Sequence, residues 1–372
     1  MEFSAGQNDA IGKAEAWLET GGEQVFRVFG YAGTGKTTIA LKLTAEVKGR
    51  VVFGAFTGKA AAVMRKAGCA NATTLHSLIY IPRLDKKTGT ISYEKNLDGP
   101  VAEAALVVVD ECSMVDESLA EDLLSFGVPV LVLGDPAQLP PPKGAGYFTN
   151  VEDPDVMLTE IHRQAENSAI IHMATKVRQG EALDFGDYGV CKVISRNSID
   201  RDRLKLLATG ADQVLVGTNK TRAGYNGSLR AAAGKSGDYP EVGDRLVCRK
   251  NDHALGIYNG GSFIAGERLK IKKHSRTCVS FNVTPIDTDS EIVIPVLCRK
   301  ECFVGGYEDL HWRETRGTNK FEFGYALTVH MSQGSQWDDV FIKDESFVFG
   351  ENRNRHLYTA ITRAATRVTV VR

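Results

Sequence analysis

Apolar residues fall along the chain in short β-branched runs, each followed by a stretch with helical spacing. The opening stretch "GQNDAIGKAEAWLE" places Ile11, Ala14 and Leu18 on one helical face. Apolar runs then recur at Val25–Phe29, Val51–Phe53, Leu106–Val109 and Val130–Leu133. Strands alternating with helices predict a parallel sheet covered by helices, an α/β fold.

Two segments break this rhythm. "IYIPRLDKKTGTISYEKN", Ile79 to Asn96, alternates on both sides of a Lys-Thr-Gly turn and predicts a β-hairpin inserted in the first domain. A second α/β region starts near Val151, with "QVLVGTN" (Gln213–Asn219) as a strand entering a loop and "GYNGSLRAAAG" as the helix after it. From about Ser236 to Asn319, Gly-Asp, Asn-Asp and Asn-Gly-Gly turns separate short runs such as "RLVCRK", "CVSFNV" and "EIVIPVL". That pattern predicts a small β barrel or sandwich. Strand-helix alternation returns at Tyr325 and closes with "RVTVV", Arg367 to Val371. The expected domains are therefore 1–150, with a hairpin insertion at about 79–103; 151–235 together with 320–372; and an all-β insertion at 236–319.

Composition adds bounds. The 372 residues suggest roughly two or three domains. With 43% hydrophobic and 24% charged residues, the chain can bury a sizeable core. A net charge of -1 excludes a basic-tail nucleic-acid binder, so any phosphate contacts must come from local patches. The seven cysteines, Cys69, Cys112, Cys191, Cys248, Cys278, Cys298 and Cys302, are scattered and odd in number, and Cys298 and Cys302 lack partners at zinc spacing. They read as reduced thiols of a cytoplasmic protein. There is no apolar run of the kind that makes a signal peptide or spans a bilayer, so no membrane is expected.

The chemistry begins at "GYAGTGKT", Gly30 to Thr37, a complete phosphate-binding loop between a strand and an apolar helix. Its glycines let the backbone N–H groups and the helix N-terminus converge on phosphates. Lys36 would neutralise the β- and γ-phosphates of ATP, and Thr37 would ligate Mg²⁺. "LVVVDECSM", Leu106 to Met114, ends an apolar strand in two carboxylates. Asp110 would hold the Mg²⁺, and Glu111 would activate the attacking water as general base. In "LVLGDPAQLPP", Leu131 to Pro141, Gln138 is placed to bond the γ-phosphate or that water. Taken alone, this last segment reads equally as a Pro-rich turn ending a strand.

The full set of motifs resembles superfamily 1 helicases, specifically the RecD-like group of the 1B branch. The resemblance covers nearly the whole chain. "AFTGKAAAVM" is similar to motif Ia, "ATTLHSLI" to motif Ib, "GDPAQLPP" to motif III and "LTEIHRQ" (Leu158–Gln164) to motif IV. "YALTVHMSQGSQWDDV" is similar to motif V and "LYTAITRA" (Leu357–Ala364) to motif VI. The resemblance implies two RecA-like parallel-sheet domains with ATP between them, and it makes the all-β insertion SH3-like. It implies nucleotide contacts at Gln7, which would read adenine, at Gly33, Thr34, Gly35, Lys36, Thr37 and Thr38, and at Gly334 and Gln336. Arg163 and Arg363 would be arginine fingers from the second domain, making hydrolysis conditional on domain closure.

The same resemblance implies a nucleic-acid track. Thr57, Lys59, Thr74 and His76 would contact the strand on the first domain, and Asn219, Thr328, His330 and Ser332 on the second. The hairpin falls where 1B helicases carry a duplex-splitting pin, with Tyr93 or Tyr80 stacking on the junction base; a solvated hairpin with Lys86 and Lys87 in water is the alternative. Lys270 and Lys272 alternate onto one strand face, which suits either a phosphate-facing patch or a solvated one. One departure is Met331, where the family commonly has lysine. The implied activity is ATP-dependent 5′-to-3′ unwinding of DNA by a monomer acting on single strands and duplex junctions. A single-strand-binding or replication/repair protein is the further partner the resemblance allows. A strand-stimulated ATPase that remodels nucleoprotein without unwinding, and an RNA helicase, stay open as alternatives.

Overall fold

Each apolar run of the first domain becomes a parallel strand, because helices cover it on both faces. The computed structural model describes residues 3–84, 91–141, 144–150, 153–160, 168–252, 255–269, 277–286 and 292–372. The first eight strands are β1 (Val25–Gly30), β2 (Val51–Ala55), β3 (Thr73–Thr74), β4 (Tyr80–Leu84), β5 (Ile91–Lys95), β6 (Leu106–Asp110), β7 (Val130–Gly134) and β8 (Val156–Leu158). Six of them form a parallel sheet in the order β3-β2-β6-β7-β1-β8. Along β6, Val108 packs with Ala10, Ile39 and Leu43 on one face, while Val107 and Val109 pack with Leu75, Leu119 and Leu123 on the other. Two-sided burial explains why "LVVV" is a continuous apolar run rather than an alternating one.

The second sheet contains β9 (Gly186–Tyr188), β10 (Cys191–Ile194), β11 (Gln213–Val216), β17 (Ala326–Thr328), β18 (Trp337–Lys343) and β19 (Ala364–Val371). Its order is β17-β11-β18-β19-β10-β9, parallel except for β9 at the edge. Between β11 and β17 lie β12 (Arg245–Cys248), β13 (Ser262–Arg268), β14 (Cys278–Pro285), β15 (Ile294–Arg299) and β16 (Phe321–Phe323). They form a separate antiparallel sheet around Phe263, Phe281 and Phe321. The Phe263 and Phe321 rings meet edge to face at 5.3 Å.

Two expected boundaries shift. Residue 150 falls before β8, which pairs with β1 and so closes the first sheet. Residue 319 falls before β16, which pairs with β12 inside the inserted sheet. Both strands are only three residues long, too short to show a period in sequence.

Polar groups tie the pieces together. Arg230, on the helix Asn219–Ala232 of the second domain, bonds both oxygens of Asp244 through Nε at 3.0 and 3.1 Å. Asp244 is fully buried at the start of the insertion and also accepts from the Tyr325 hydroxyl at 2.7 Å. The β4–β5 hairpin is anchored at its base, where Asp122 accepts from the Tyr80 hydroxyl at 2.5 Å and from Lys95 Nζ at 2.9 Å. The expected turn residues Lys86 and Lys87 lie outside the described residues, as do Lys270 and Lys272. All seven cysteines are free thiols, and only Cys302 is not fully buried.

Candidate active site

The loop after β1 turns into the helix Lys36–Ala45 through Gly33 and Gly35, at φ 81° and 78°. Side chains with a Cβ rarely adopt that backbone, so glycine is required for the turn. Gly35 is the helix N-cap and brings no side chain over the first amides, leaving the N-terminus open to an anion. Lys36 Nζ lies inside the loop, donating to the carbonyls of Gly30 at 2.7 Å and Tyr31 at 3.2 Å. Thr34 is buried, and its carbonyl accepts from Gln7 Nε2 at 3.1 Å. Gln7 also completes a capping box with Ser4, so in this arrangement its amide buttresses the loop.

Asp110 ends β6 beside the loop. Its Oδ2 accepts from the Thr37 hydroxyl at 3.3 Å, and its Oδ1 accepts from the Glu111 N–H at 2.8 Å. Burial, followed by the neighbouring Glu111 carboxylate, pushes the Asp110 carboxyl up to about 6. Two hard oxygen donors and a carboxylate short of positive charge suit Mg²⁺. Glu111 sits at φ 53°, ψ 44°, an uncommon left-handed conformation for a non-glycine residue. Such backbone concentrates at functional sites.

The cleft between the two parallel sheets has a volume of about 650 Å³. The first domain lines it with Gly33, Thr34, Gly35, Lys36, Thr37, Thr38, Asp110, Glu111 and Gln138. The second domain lines it with Gly334, Gln336 and Arg363. Arg363 is buried, bonded to the carbonyls of Thr359 and Ser335 at 3.2 Å each, and its Nη1 lies 3.9 Å from Glu111 Oε1. Gln138 is buried too, and its Oε1 accepts no hydrogen bond among the described residues. Gly334 packs directly on the first domain: a Cβ there would lie 2.8 Å from Ala60 Cβ and 3.0 Å from Thr57 Oγ1. Arg163 lies outside the described residues.

Several polar links across this seam escaped the sequence reading. The buried Tyr358 hydroxyl donates to Asp135 Oδ2 at 2.6 Å and accepts from the Ala32 N–H at 3.1 Å. Thr359 Oγ1 accepts from Leu139 N at 2.9 Å, and Gln333 Nε2 donates to the Leu139 carbonyl at 2.8 Å. A signal existed for Asp135. "LVLGD" repeats the apolar-strand-then-carboxylate pattern that singled out Asp110. No such signal marked Tyr358, because a lone tyrosine on an apolar helix reads as core.

The residues expected along a strand track divide. Thr57 and Thr74, and likewise Thr218, which the sequence did not single out, each cap the N-terminus of a helix that follows β2, β3 or β11, accepting from Ala60 N, Ser77 N and Thr221 N. Asn219 is exposed in the first turn of the third of these helices. His76 is exposed, with Phe56 at 6.1 Å and Tyr80 at 5.9 Å between ring centroids. Tyr93 is 67% exposed, and its ring lies 6.4 Å from that of Tyr80. Half-buried His330 lies 5.7 Å from the Phe349 ring, and burial lowers its pKa. Thr328 is buried, its hydroxyl accepting from Met331 N at 3.3 Å.

Three residues named for the track make other contacts in this structure. Lys59 is buried with its ammonium 4.5 Å from the centre of the Trp337 ring, and it lines the cleft rather than an open track. The cation over the ring makes this a seam contact. Ser332 is fully buried, and its hydroxyl donates to the Val329 carbonyl at 2.7 Å. Tyr80 spends its hydroxyl on Asp122 at the hairpin base, so the exposed ring of the pair is that of Tyr93.

Comparison with known proteins agrees with this architecture. Residues 2–195, more than half of the chain, match the AAA domain family, and residues 323–371 match the UvrD-like helicase C-terminal domain. The chain is 31% identical over 381 residues to the ATP-dependent RecD2 DNA helicase of Deinococcus radiodurans, covering 93% of this chain and 46% of that protein. It is 27% identical to a probable conjugal transfer protein TraA of Sinorhizobium fredii, covering 92% of this chain and 30% of the relative. It is 25% identical to the RecBCD enzyme subunit RecD of Mycolicibacterium smegmatis, covering 99% of this chain and 71% of that subunit. The chain thus spans less than half the length of the first two relatives. Among solved structures, Pif1 helicases on forked duplex DNA share the fold with TM-score 0.61 at 20% identity, covering 100% of this chain and 92% of theirs. Bacteroides Pif1 bound to single-stranded DNA follows with TM-score 0.57 at 19% identity, covering 96% and 91%.

Proposed function

The chain belongs to the AAA domain family and to the RecD-like group of superfamily 1B helicases, and from that premise we propose that it is an ATP-dependent DNA helicase moving 5′ to 3′ along a single strand. The observation that carries this proposal is Arg363 of the second domain beside Glu111 in the phosphate-loop cleft. A lone ATP-binding domain needs no such reach. A motor does, because hydrolysis must depend on how its two domains are placed.

Lys36 and the open helix N-terminus bind the triphosphate, and Gln7 reads adenine by resemblance. Thr37 and Asp110 would hold Mg²⁺, which supplies positive charge against the phosphates when bound. Glu111 takes the proton of the attacking water. Gln138, whose buried amide oxygen accepts no hydrogen bond among the described residues, orients that water or senses the γ-phosphate. Arg363 brings the charge that the transferring phosphoryl group requires, and Arg163 is the second finger by resemblance.

Support for a strand track comes from the Thr57, Thr74 and Thr218 caps, which place three helix N-termini after parallel strands of both domains. Each threonine takes one first-turn N–H, and the remaining ones favour backbone phosphates without reading bases. The relatives support the same choice of substrate, since one is named as a DNA helicase and one Pif1 structure holds single-stranded DNA. Single strands and duplex junctions are the partners, with a single-strand-binding or replication/repair protein as recruiter. The monomer acts in the cytoplasm. No helix among the described residues is long and apolar enough to cross a membrane. Steady-state ATP hydrolysis with and without single-stranded DNA tests the function. Strong stimulation is expected, and a rate indifferent to the strand would overturn it.

A further inference from the structure

Tyr358 does more in this structure than fill the core. It belongs to the helix Arg353–Ile361 of the second domain and is 2% exposed. Its hydroxyl has one proton to give and lone pairs to accept with, and both capacities are used on the first domain. The proton goes to Asp135 Oδ2 at 2.6 Å, and the oxygen accepts from the Ala32 N–H at 3.1 Å. One side chain therefore joins the tip of the phosphate loop to the carboxylate that ends β7.

Asp135 in turn shapes the segment bearing Gln138. Its Oδ1 accepts from the Ala137 N–H at 2.9 Å, and its carbonyl accepts from the Gln138 N–H at 3.1 Å. Thr359 and Gln333, also from the second domain, hold Leu139 by its N–H and carbonyl. The Arg178 guanidinium lies 3.6 Å from the centre of the ring of Tyr31, next to Ala32. When the domains close, the loop tip and the Gln138 turn are thus clamped from one side.

We infer that Tyr358 is a positioning residue for ATP hydrolysis, its hydroxyl aligning the phosphate loop and the Gln138 turn on domain closure. The inference rests on the cleft being an ATP-hydrolysing site. A phenylalanine would fill the same space and leave the Ala32 N–H and one Asp135 oxygen without this partner. Binding of the nucleotide relies on Lys36 and the helix N-terminus, which Tyr358 does not touch. The alignment needed for chemistry should suffer more than affinity.

The test is steady-state ATP hydrolysis by the full chain carrying Tyr358→Phe, Asp135→Asn or both, with wild type and Lys36→Ala alongside. Tyr358→Phe is expected to lower kcat about tenfold while KM for ATP moves less than about twofold. Its melting temperature should stay within a few degrees of wild type. Asp135→Asn should lower kcat too, and the double variant should lose less than the product of the two single losses, since both cut one link. A kcat for Tyr358→Phe within twofold of wild type overturns the inference, and so does fully multiplicative loss in the double variant. If Tyr358→Phe fails to fold, the comparison of Asp135→Asn with wild type decides by the same split of kcat from KM. Wild type without Lys36-dependent hydrolysis overturns the function of the cleft itself, and the inference falls with it.

Discussion

Arg363 Nη1 lies 3.9 Å from Glu111 Oε1 across the seam between the two parallel-sheet domains. The guanidinium is held there by carbonyls of its own domain, at Thr359 and Ser335. Its direction is set by the second domain, while its target belongs to the first. Arg363→Ala should keep ATP binding and lower strand-stimulated turnover by ~10³-fold, as for other arginine fingers. A titration with a fluorescent ATP analogue beside a turnover assay checks both halves, and an unchanged turnover would remove the finger.

Lys36 is the loop's only side-chain cation and lies within its curve. Lys36→Ala should reduce ATP hydrolysis to background while leaving the melting temperature nearly unchanged, since the lysine holds only carbonyls of its own loop. Normal turnover in that variant would sink the assignment of the cleft.

His356 predicts a pH dependence of stability. It is buried, stacked on Phe349 at 4.1 Å, and neither ring nitrogen has a hydrogen-bond partner among the described residues. Burial, with a smaller contribution from His330, lowers its pKa from 6.5 to about 4. Between these values the unfolded chain binds a proton that the folded chain does not, so stability rises with pH across that window. The stabilisation is complete above about pH 6.5 and is lost as pH falls, by about 2 kcal/mol at pH 5. His356→Phe should flatten the profile by that amount relative to wild type in denaturant titrations at pH 7 and 5. Parallel profiles for the two proteins would show that the ring is protonated in the fold.

The Arg230–Asp244 pair predicts how the inserted sheet is held. Removing Asp244 leaves Arg230 Nε without its partner, while Nη2 keeps Glu241 at 3.0 Å and the Tyr239 carbonyl at 2.9 Å, so the cost falls below the ~3–5 kcal/mol of a fully stranded buried charge. Asp244→Ala should therefore lower the melting temperature by several degrees or more, with Arg230 and the Tyr325 hydroxyl both left without it. A change of under one degree would mean that water replaces the carboxylate.

The hairpin separates two tyrosines by role. Tyr93→Ala should slow duplex unwinding about tenfold while sparing strand-stimulated ATP hydrolysis, because a stacked base is worth ~1–3 kcal/mol. Equal rates of unwinding for wild type and variant would leave the hairpin without a part in strand separation.

How much of this was legible in sequence depended on where the interactions lie. Long buried strands such as Leu106–Asp110 announce themselves, because two-sided burial demands an unbroken apolar run. The phosphate loop and its carboxylates were legible because their chemistry needs fixed residue types at fixed spacing. The three-residue strands β8 and β16 were not, since neither carries a period, and both domain boundaries slipped accordingly. Contacts across the seam were the least legible. The roles of Lys59 and Tyr358 depend on which side chains the other domain brings close, and local pattern carries none of that information.

The most direct measurement is unwinding of matched duplexes bearing a 5′ or a 3′ single-stranded tail, with ATP and Mg²⁺. Opening of the 5′-tailed duplex alone is the predicted result. Opening of the 3′-tailed duplex alone would contradict the polarity. If neither opens while single strands still stimulate hydrolysis, the protein is a remodelling ATPase and not a helicase.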